Sequence, residues 1–249
     1  NPFGPGGEGG GVANLLGGTL LLEATTLAGN RSGDGADFGT PGPDGRGGGL
    51  FCQGDCTLNN VTLSGNAVGT SAVGLGAQGG GLMVIGGTTR LRNVTVAGNT
   101  ANSTGGGIAR SGGTIRTRNS LFAGNTGGAS PDCASAAAGV VTEGYNLIRV
   151  NNGCASSFGG TDQEGTSALP LEPLLAALAA NGGPTETRAL GAGGPAQRGS
   201  EAPRISPSSA SPRPARHSLP KMVASSTACG LRIGSASTKM RILYGGSVK

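Results

Sequence analysis

Hydrophobic and polar residues recur in fixed columns along the first half of this chain. Four segments each begin with three glycines and an aliphatic residue and end with Gly-Asn; they span 9–30, 47–66, 79–99 and 105–125. An apolar column lies three positions before each closing Asn, at Leu27, Leu63, Val96 and Phe122. A second column lies six positions before it, at Ala24, Asn60, Asn93 and Asn119. The segments contain short β-rich runs such as TRLRNVTV and show no helical period, so they predict strands.

Repeats with conserved columns predict rungs that stack on one another. The length from the glycine triplet to the closing Gly-Asn is nearly constant, whereas the connecting stretch varies, as in a solenoid whose loops vary on one side. We therefore predict an all-β fold, a right-handed parallel β-helix with rungs about 4.8 Å apart. The apolar columns should be buried. Asn60, Asn93 and Asn119 should stand in line at a turn, where asparagine tolerates left-handed backbone geometry.

The repeat pattern divides the chain into three parts. Residues 1–125 supply the rungs, 126–195 supply a last rung and a cap, and 196–249 form a tail with the Pro/Ser/Arg composition of a disordered segment. We expect this tail not to join the sheets of the repeats. A cap is expected because the last rung of a solenoid exposes apolar side chains and backbone groups.

The cap is predicted to contain a short helix. Four leucines have the spacing of one helical face: Leu171, Leu174, Leu175 and Leu178. Asn181-Gly182 should end this helix. Tyr145 is expected to pack in the cap as well.

The distribution of charge and apolar residues excludes some functions. Residues 1–195 carry nine arginines, no lysine and twelve acidic residues, a net charge of −3, whereas 196–249 carry nine cationic residues and only Glu201, a net charge of +8. We expect no nucleic-acid binding by the body of the chain. No apolar run approaches the length of a membrane span, so no transmembrane helix is expected.

The five cysteines suit an oxidising compartment. Cys52 and Cys56 lie within one rung, Cys133 and Cys154 flank the segment after the last rung, and Cys229 is alone in the tail. Two disulfides, Cys133–Cys154 and Cys52–Cys56, are the favoured arrangement. Free buried thiols and a zinc site are the alternatives, but no CxxC motif occurs and the only histidine is His217.

Two groups of charged residues are candidate ligand sites. Asp34, Asp37 and Asp44 lie in the longest connecting loop and could bind calcium, although a solvated loop explains them as well. The second group is a two-by-two block of outward-facing side chains on adjacent rungs, formed by Arg90, Arg92, Arg116 and Arg118. It could bind the uronate or sulfate groups of an extracellular glycan, or simply keep the sheet face charged. No cofactor is expected.

Carboxylates suited to catalysis are scarce. A polysaccharide lyase or hydrolase needs clustered acids, or a base with bound calcium, on an exposed strand face. Glu23 is the only acid in the strand columns; Asp55 lies at a turn, and Asp132 and Glu143 lie beyond the last rung. A polysaccharide-degrading enzyme is therefore the alternative to a structural or adhesive protein.

Residues 9–195 resemble a known class of proteins. The matching pieces are the GGG…GN repeats, Gly144-Tyr145-Asn146-Leu147-Ile148, Cys133 with Cys154, Leu171 through Leu178, and Asn181-Gly182-Gly183-Pro184-Thr185. In this order they resemble bacterial surface β-helix proteins of the choice-of-anchor, polymorphic-outer-membrane-protein-like class. The resemblance implies a secreted or surface-anchored, non-catalytic protein.

The end of the chain resembles a different family. GSASTKMRILYGGSVK, residues 234–249, is similar to the eighth strand and phosphate loop of triosephosphate isomerase. The resemblance implies phosphate binding by the backbone at Gly245 and Gly246, and a triosephosphate isomerase fragment is the third function considered. No segment matches the catalytic Lys, His or Glu motifs of that enzyme. We therefore expect no isomerase activity and suspect a frameshift near residue 196 or a chimeric sequence.

Overall fold

The computed structural model describes residues 6–35, 44–69, 76–154, 158–198 and 240–243. Regular structure in these residues is almost entirely strand, which confirms the all-β prediction. The elements are β1 (Val12–Asn14), β2 (Thr19–Ala28), β3 (Leu50–Cys52), β4 (Asp55–Ser64), β5 (Leu82–Val84), β6 (Thr88–Arg92), β7 (Thr95–Ala97), β8 (Ile108–Arg110), β9 (Thr114–Arg118), β10 (Leu121–Ala123), β11 (Cys133–Ser135), β12 (Val140–Thr142), β13 (Leu147–Ile148), β14 (Gln163–Glu164), β15 (Leu175–Ala179), β16 (Thr187–Leu190), α1 (Pro195–Arg198) and β17 (Met240–Leu243). Within these residues, no helix has the length and hydropathy needed to cross a membrane.

The four strands that follow the glycine triplets, together with β11, form one parallel sheet. Its order is β1-β3-β5-β8-β11, so each strand lies beside the equivalent strand of the next repeat. The residues after the four triplets, Val12, Leu50, Leu82 and Ile108, pair in register with one another, and Ile108 pairs with Cys133 of β11, which follows no triplet. Equivalent positions of successive repeats therefore lie next to one another.

The remaining strands of the repeats form a larger parallel sheet. β2 pairs with β4 along its whole length, β4 pairs with both β6 and β7, and these pair with β9 and β10. Leu63 pairs with Leu27 and Val96, and Val96 pairs with Phe122. Leu63, Val96 and Phe122 are fully buried, as predicted. The core is thus a set of narrow apolar stacks that continue from repeat to repeat.

A column of left-handed residues interrupts these strands. Ala24, Asn60, Asn93 and Asn119 have φ values of 43°, 55°, 55° and 47°. The Asn93 amide donates to Oδ1 of Asn60 at 2.9 Å, and the Asn119 amide donates to Oδ1 of Asn93 at 2.6 Å. The predicted line of asparagines at a turn is confirmed. Asparagine suits it because it adopts left-handed geometry at low cost and its amide can both donate and accept.

The closing asparagines form a second, mostly buried ladder. Asn66 donates through Nδ2 to Oδ1 of Asn99, and Asn99 donates in the same way to Asn125, both at 2.9 Å. Asn125 donates to Oδ1 of Asp132 at 2.8 Å, and the carboxylate ends the ladder. Burial raises the pKa of Asp132 above its ordinary value, although the hydrogen bonds from Asn125 and Val150 act in the opposite direction.

The middle position of each triplet requires glycine, because another segment of backbone lies too close for a Cβ atom. A Cβ atom at Gly48 would overlap the carbonyl of Ala67, and one at Gly80 would overlap the carbonyl of Thr100. Ala67 and Thr100 each follow a closing asparagine, so the triplet of one segment packs against the end of the same segment. Any larger residue would push these two backbones apart.

The predicted leucine helix is wrong. β15 is a strand that pairs antiparallel with β16, with Leu175 opposite Leu190. Pro173 interrupts the run, and the residue before a proline avoids helical geometry, so the leucine spacing does not describe a helix. Asn181-Gly182 lies in the connection between the two strands. The β15–β16 hairpin lies beside the repeats, where Arg188 Nε donates to Ser64 Oγ at 3.0 Å.

Part of the tail joins the larger sheet. β17 pairs antiparallel with β2, with Met240 opposite Leu22 and Leu243 opposite Thr19. The prediction that the tail stays off the sheet is therefore wrong for these four residues. β2 has β4 on one side only, and an edge strand with unpaired backbone groups readily accepts another strand. Gly245 and Gly246 lie outside the described residues.

Candidate functional site

The four candidate arginines lie on one face of β6 and β9. Their side chains alternate with buried residues, so each strand directs its apolar side inwards and its arginines outwards. Arg90 pairs in register with Arg116, and Arg92 pairs with Arg118. The two strands therefore place four guanidinium groups in a two-by-two block, which we call the arginine face.

The arginine face continues into polar neighbours on its β4 side. Thr57 lies beside Arg90 and Asn59 lies beside Arg92 on the preceding strand, β4. Asn59 donates to Glu23 Oε1 at 3.4 Å, so an acidic residue lies at the far end of this column. Positive charge is concentrated on β6 and β9, in the middle of the exposed surface.

Glu143 shows that this arrangement accepts a carboxylate. Its Oε1 lies 2.7 Å from Arg116 Nε, and its Oε2 lies 4.0 Å from a terminal nitrogen of Arg92. The hydrogen bond from Arg116 lowers the pKa of Glu143, and the charges of Arg116, Arg92 and Arg118 act in the same direction. Arg116 is half-buried, whereas the other three arginines are exposed.

A shallow groove borders the arginine face. It has a volume of about 390 Å³ and is lined by Arg92, Asn93, Arg118, Asn119 and Tyr145. The groove combines two guanidinium groups, two side-chain amides and one aromatic ring. These are the groups that bind the carboxylates, the hydroxyls and the apolar faces of sugars.

Tyr145 is the residue of this site that sequence reasoning misplaced. We predicted that it packs in a cap, but 61% of its surface is exposed. Tyr145 comes two residues before Leu147, which pairs with Leu121, so it occupies the same left-handed column as Asn119. It follows Asn119 by 26 residues, the spacing that separates Asn119 from Asn93. This spacing was the signal that could have placed it.

A larger groove lies between the repeats and the hairpin. It has a volume of about 700 Å³ and shares Asn93, Asn119 and Tyr145 with the smaller groove. Its opposite wall includes Leu175 and Leu190 of the hairpin.

The calcium hypothesis gains no support from the described residues. Asp34 forms a bidentate ion pair with Arg31, with contacts of 2.9 and 2.5 Å. Asp44 is buried, and Asp37 lies outside the described residues. In the parts of the chain that the structure describes, no three His, Cys, Asp or Glu side chains form a group suited to a metal ion.

Both predicted disulfides are present. Cys52 forms a disulfide with Cys56, and their Cα atoms are 6.4 Å apart. Cys133 forms a disulfide with Cys154, and their Cα atoms are 5.3 Å apart. The four cysteines are therefore neither free thiols nor zinc ligands here. Cys229 and His217 lie outside the described residues.

The two acids that flank the arginine face are far apart. Glu23 lies in the column of Asn59, Arg92 and Arg118, and Glu143 lies beyond the other end, so about four strand spacings, roughly 19 Å, separate them. The two catalytic carboxyl groups of a glycoside hydrolase lie about 5–10 Å apart. Glu23 and Glu143 do not form such a pair.

Comparison of this chain with protein-family models, with curated proteins and with solved structures finds no match. The resemblances noted in the sequence therefore stay hypotheses.

Proposed function

We propose that this chain is a non-catalytic structural and adhesive protein of the bacterial cell surface or extracellular space, and that it binds acidic glycans through the arginine face. The observation that carries the proposal is the in-register block of Arg90, Arg92, Arg116 and Arg118, in which Glu143 already occupies one position as a carboxylate ligand.

We also propose that the repeats form a right-handed parallel β-helix. The support is the parallel, in-register pairing of equivalent strands in both sheets. In such a fold the arginine face would be one side of a short rod, and its exposed columns would run along the rod. A surface of this kind suits an extended polymer better than a small molecule.

An oxidising location is supported by the two disulfides. Such bonds persist in secreted and surface proteins and are rare in the reducing cytosol. The pair Cys133–Cys154 closes a loop of 21 residues next to the core, and Cys52–Cys56 is fully buried within one repeat. The resemblance to bacterial surface proteins leads to the same location.

The chemistry of the arginine face favours a polymer with regularly spaced carboxylates or sulfates. Guanidinium groups bind such anions through two parallel hydrogen bonds. Adjacent strands lie about 4.8 Å apart, so Arg92 and Arg118 can contact neighbouring anionic groups of one chain. Because the side chains are exposed, salt should weaken the interaction.

Binding of polygalacturonate tests this proposal. Replacing Arg90, Arg92, Arg116 and Arg118 together by Ser should weaken binding by about tenfold or more, because the anion-binding groups are removed. Arg31→Ser is the matched control, since Arg31 is also exposed but pairs with Asp34 away from this face. Glu143→Gln should strengthen binding, because it removes the resident carboxylate.

Binding of polygalacturonate that survives the fourfold substitution, in a variant with an unchanged circular dichroism spectrum, would show that the arginine face is not the contact. Binding of uncharged dextran with similar affinity would show that charge is not what the protein recognises.

A further inference from the structure

We propose that Tyr145 is a stacking platform for a sugar ring, and that it and the arginine face contact neighbouring residues of one acidic polysaccharide. This inference rests on the proposed function, because it assigns a further contact at the same site. It also narrows the ligand from any polyanion to a polymer of acidic pyranose sugars.

The backbone conformation of Tyr145 is the first observation that supports a role in ligand binding. Its φ value is +61°, in the left-handed region that a bulky residue rarely adopts. The three preceding repeats place asparagine in this column, at Asn60, Asn93 and Asn119, where the geometry costs little. Strained residues of this kind cluster at ligand sites, because there the position of the side chain matters more than the strain. Tyrosine is the unfavourable choice for the turn, so the ring itself needs an explanation.

The exposure of the Tyr145 ring is the second observation that supports a role in ligand binding. Tyr145 is 61% exposed, so burial in a core does not explain the strained tyrosine. The residue forms part of both grooves, and in the smaller one it lies together with Arg92 and Arg118. An aromatic ring beside two guanidinium groups offers an apolar surface next to a site for an anion.

The end of the exposed asparagine ladder, at Asn119, is the third observation that supports a role in ligand binding. Asn119 donates to Asn93, but Tyr145 takes the place of the next asparagine and cannot donate an amide proton to Asn119 Oδ1. No side chain among the described residues donates to that oxygen. Asn119 lines the smaller groove, so this oxygen can accept a hydrogen bond from a hydroxyl group of a ligand there.

Together these groups match the parts of an acidic pyranose. The C–H face of the sugar ring would lie against Tyr145, a hydroxyl would donate to Asn119, and carboxylates of the same chain would bind Arg92 and Arg118. A polyphosphate could satisfy the arginines but has no apolar ring face for Tyr145. The ring therefore gives the site a means to distinguish an acidic polysaccharide from other polyanions.

Tyr145→Asn tests the inference, because asparagine is the residue that the three preceding repeats have in this column. We expect about tenfold weaker binding of polygalacturonate, the loss that removal of one aromatic stacking contact produces. Binding of polyphosphate should change less than twofold. The urea unfolding midpoint should not fall, because asparagine relieves the left-handed strain. Tyr145→Phe keeps the ring and should retain most of the affinity.

Tyrosine fluorescence gives an independent measurement. The chain contains no tryptophan and two tyrosines, Tyr145 and Tyr244. In a Tyr244→Phe variant the emission comes from Tyr145 alone, and addition of polygalacturonate should change it with the same midpoint as the binding curve. Addition of polyphosphate should leave the emission unchanged.

The outcomes separate this inference from the proposed function. Equal polygalacturonate affinity for wild type and Tyr145→Asn, with binding still dependent on the arginines, would overturn the role of Tyr145 alone. An equal loss of polyphosphate and polygalacturonate binding in Tyr145→Asn would also overturn it, since the ring would then not recognise a sugar. Absence of polygalacturonate binding by the wild type would overturn the proposed function together with this inference.

Discussion

At the scale of single residues, Asp132 explains how the buried amide ladder ends. Each closing asparagine needs an acceptor on the next repeat, and after Asn125 the acceptor is a carboxylate. Asp132 Oδ1 accepts the side-chain and backbone N–H groups of Asn125, at 2.8 and 3.1 Å, and Oδ2 accepts Val150 N–H at 3.1 Å. A carboxylate suits this position because every neighbouring group is a donor.

Asp132→Asn should destabilise the protein by about 1–3 kcal/mol, because an amide NH₂ would face either Asn125 or the Val150 N–H and leave buried donors unpaired. Urea unfolding followed by circular dichroism measures the loss. Asp34→Asn is the control, since Asp34 is exposed and its ion pair with Arg31 should contribute little. An equally stable Asp132→Asn protein would contradict the account of the ladder.

The difference in stability between wild type and Asp132→Asn should depend on pH. The pKa of Asp132 is raised by burial from its ordinary 3.8, so the folded state binds this proton more tightly than the unfolded state. Asp132 therefore lowers stability as pH rises from about 3.8 through its folded pKa. The stability advantage of wild type over Asp132→Asn should be larger below this window than at pH 7. The lowered pKa of Glu143 has the opposite effect on stability. Because Glu143 is present in both proteins, its contribution cancels from the difference between them.

The residue scale also shows what sequence patterns can predict. The left-handed asparagine column was predictable, because asparagine is a frequent choice for that geometry and the spacing repeats. Tyr145 in the same column was not recognised, because an aromatic residue suggests burial before it suggests a turn. Glu143 as the partner of Arg116 was not predicted either, since it lies 27 residues away and its contact depends on how the last repeat pairs.

At the scale of elements, alternation along each strand decides which side chains form the core. In β6, Leu91 is fully buried between the exposed Arg90 and Arg92, and it pairs in register with Leu58 of β4. The apolar stacks are narrow, so a charge placed in one has no route to water and no partner. Substitutions in β6 therefore test which side chains face the core and which face outwards.

Leu91→Asp should destabilise the protein by about 4 kcal/mol or more, or prevent folding, because an unpaired charge would enter the apolar stack. Arg90→Asp, one residue earlier on the exposed side of the strand, should change stability by less than about 1 kcal/mol. Thermal and urea unfolding of both variants measures the difference. Similar losses at the two positions would show that the inward and outward assignments are wrong.

The hairpin shows where prediction of elements failed. The leucine spacing from Leu171 to Leu178 fits a helix, but Pro173 and the turn at Gly182 favour two strands that pair with each other. Gly182 has a φ value of 87°, and Asn181 donates to the Thr187 carbonyl at 2.8 Å, which closes the connection. Periodicity over only two turns is weak evidence when proline and glycine lie within or next to it.

At the scale of the whole molecule, the repeat columns predicted the parallel pairing but not the contacts that cross the repeats. The hairpin lies along the outside and bonds to the first two repeats, through Glu186 to Thr26 at 2.6 Å and through Arg188 to Ser64. Such contacts join residues more than 120 positions apart and leave no periodic signal. The antiparallel pairing of β17 with β2 likewise depends on an available sheet edge, which a sequence pattern does not reveal.

Limited proteolysis with trypsin should remove residues beyond 198 and leave a resistant core. The reasons are the change in net charge from −3 before residue 196 to +8 after it, and the low apolar content of the Pro/Ser/Arg stretch, which offers little burial to offset the entropy of ordering it. All three lysines, Lys221, Lys239 and Lys249, lie in this part. The four-residue pairing of β17 is too short to retain a cleaved peptide.

A Lys-specific protease gives the control, because it can cut only in the tail. Its product should keep the unfolding midpoint and the polygalacturonate affinity of the intact chain, and after gel filtration it should contain no peptide from 240–249. The intact chain should not turn over glyceraldehyde 3-phosphate above background, because the barrel strands and catalytic motifs of an isomerase are not present in the sequence.

Early cleavage by trypsin at Arg90, Arg92 or Arg118, with the tail still attached, would contradict this view of the molecule. Retention of 240–249 after cleavage would instead show that β17 is a stable part of the sheet.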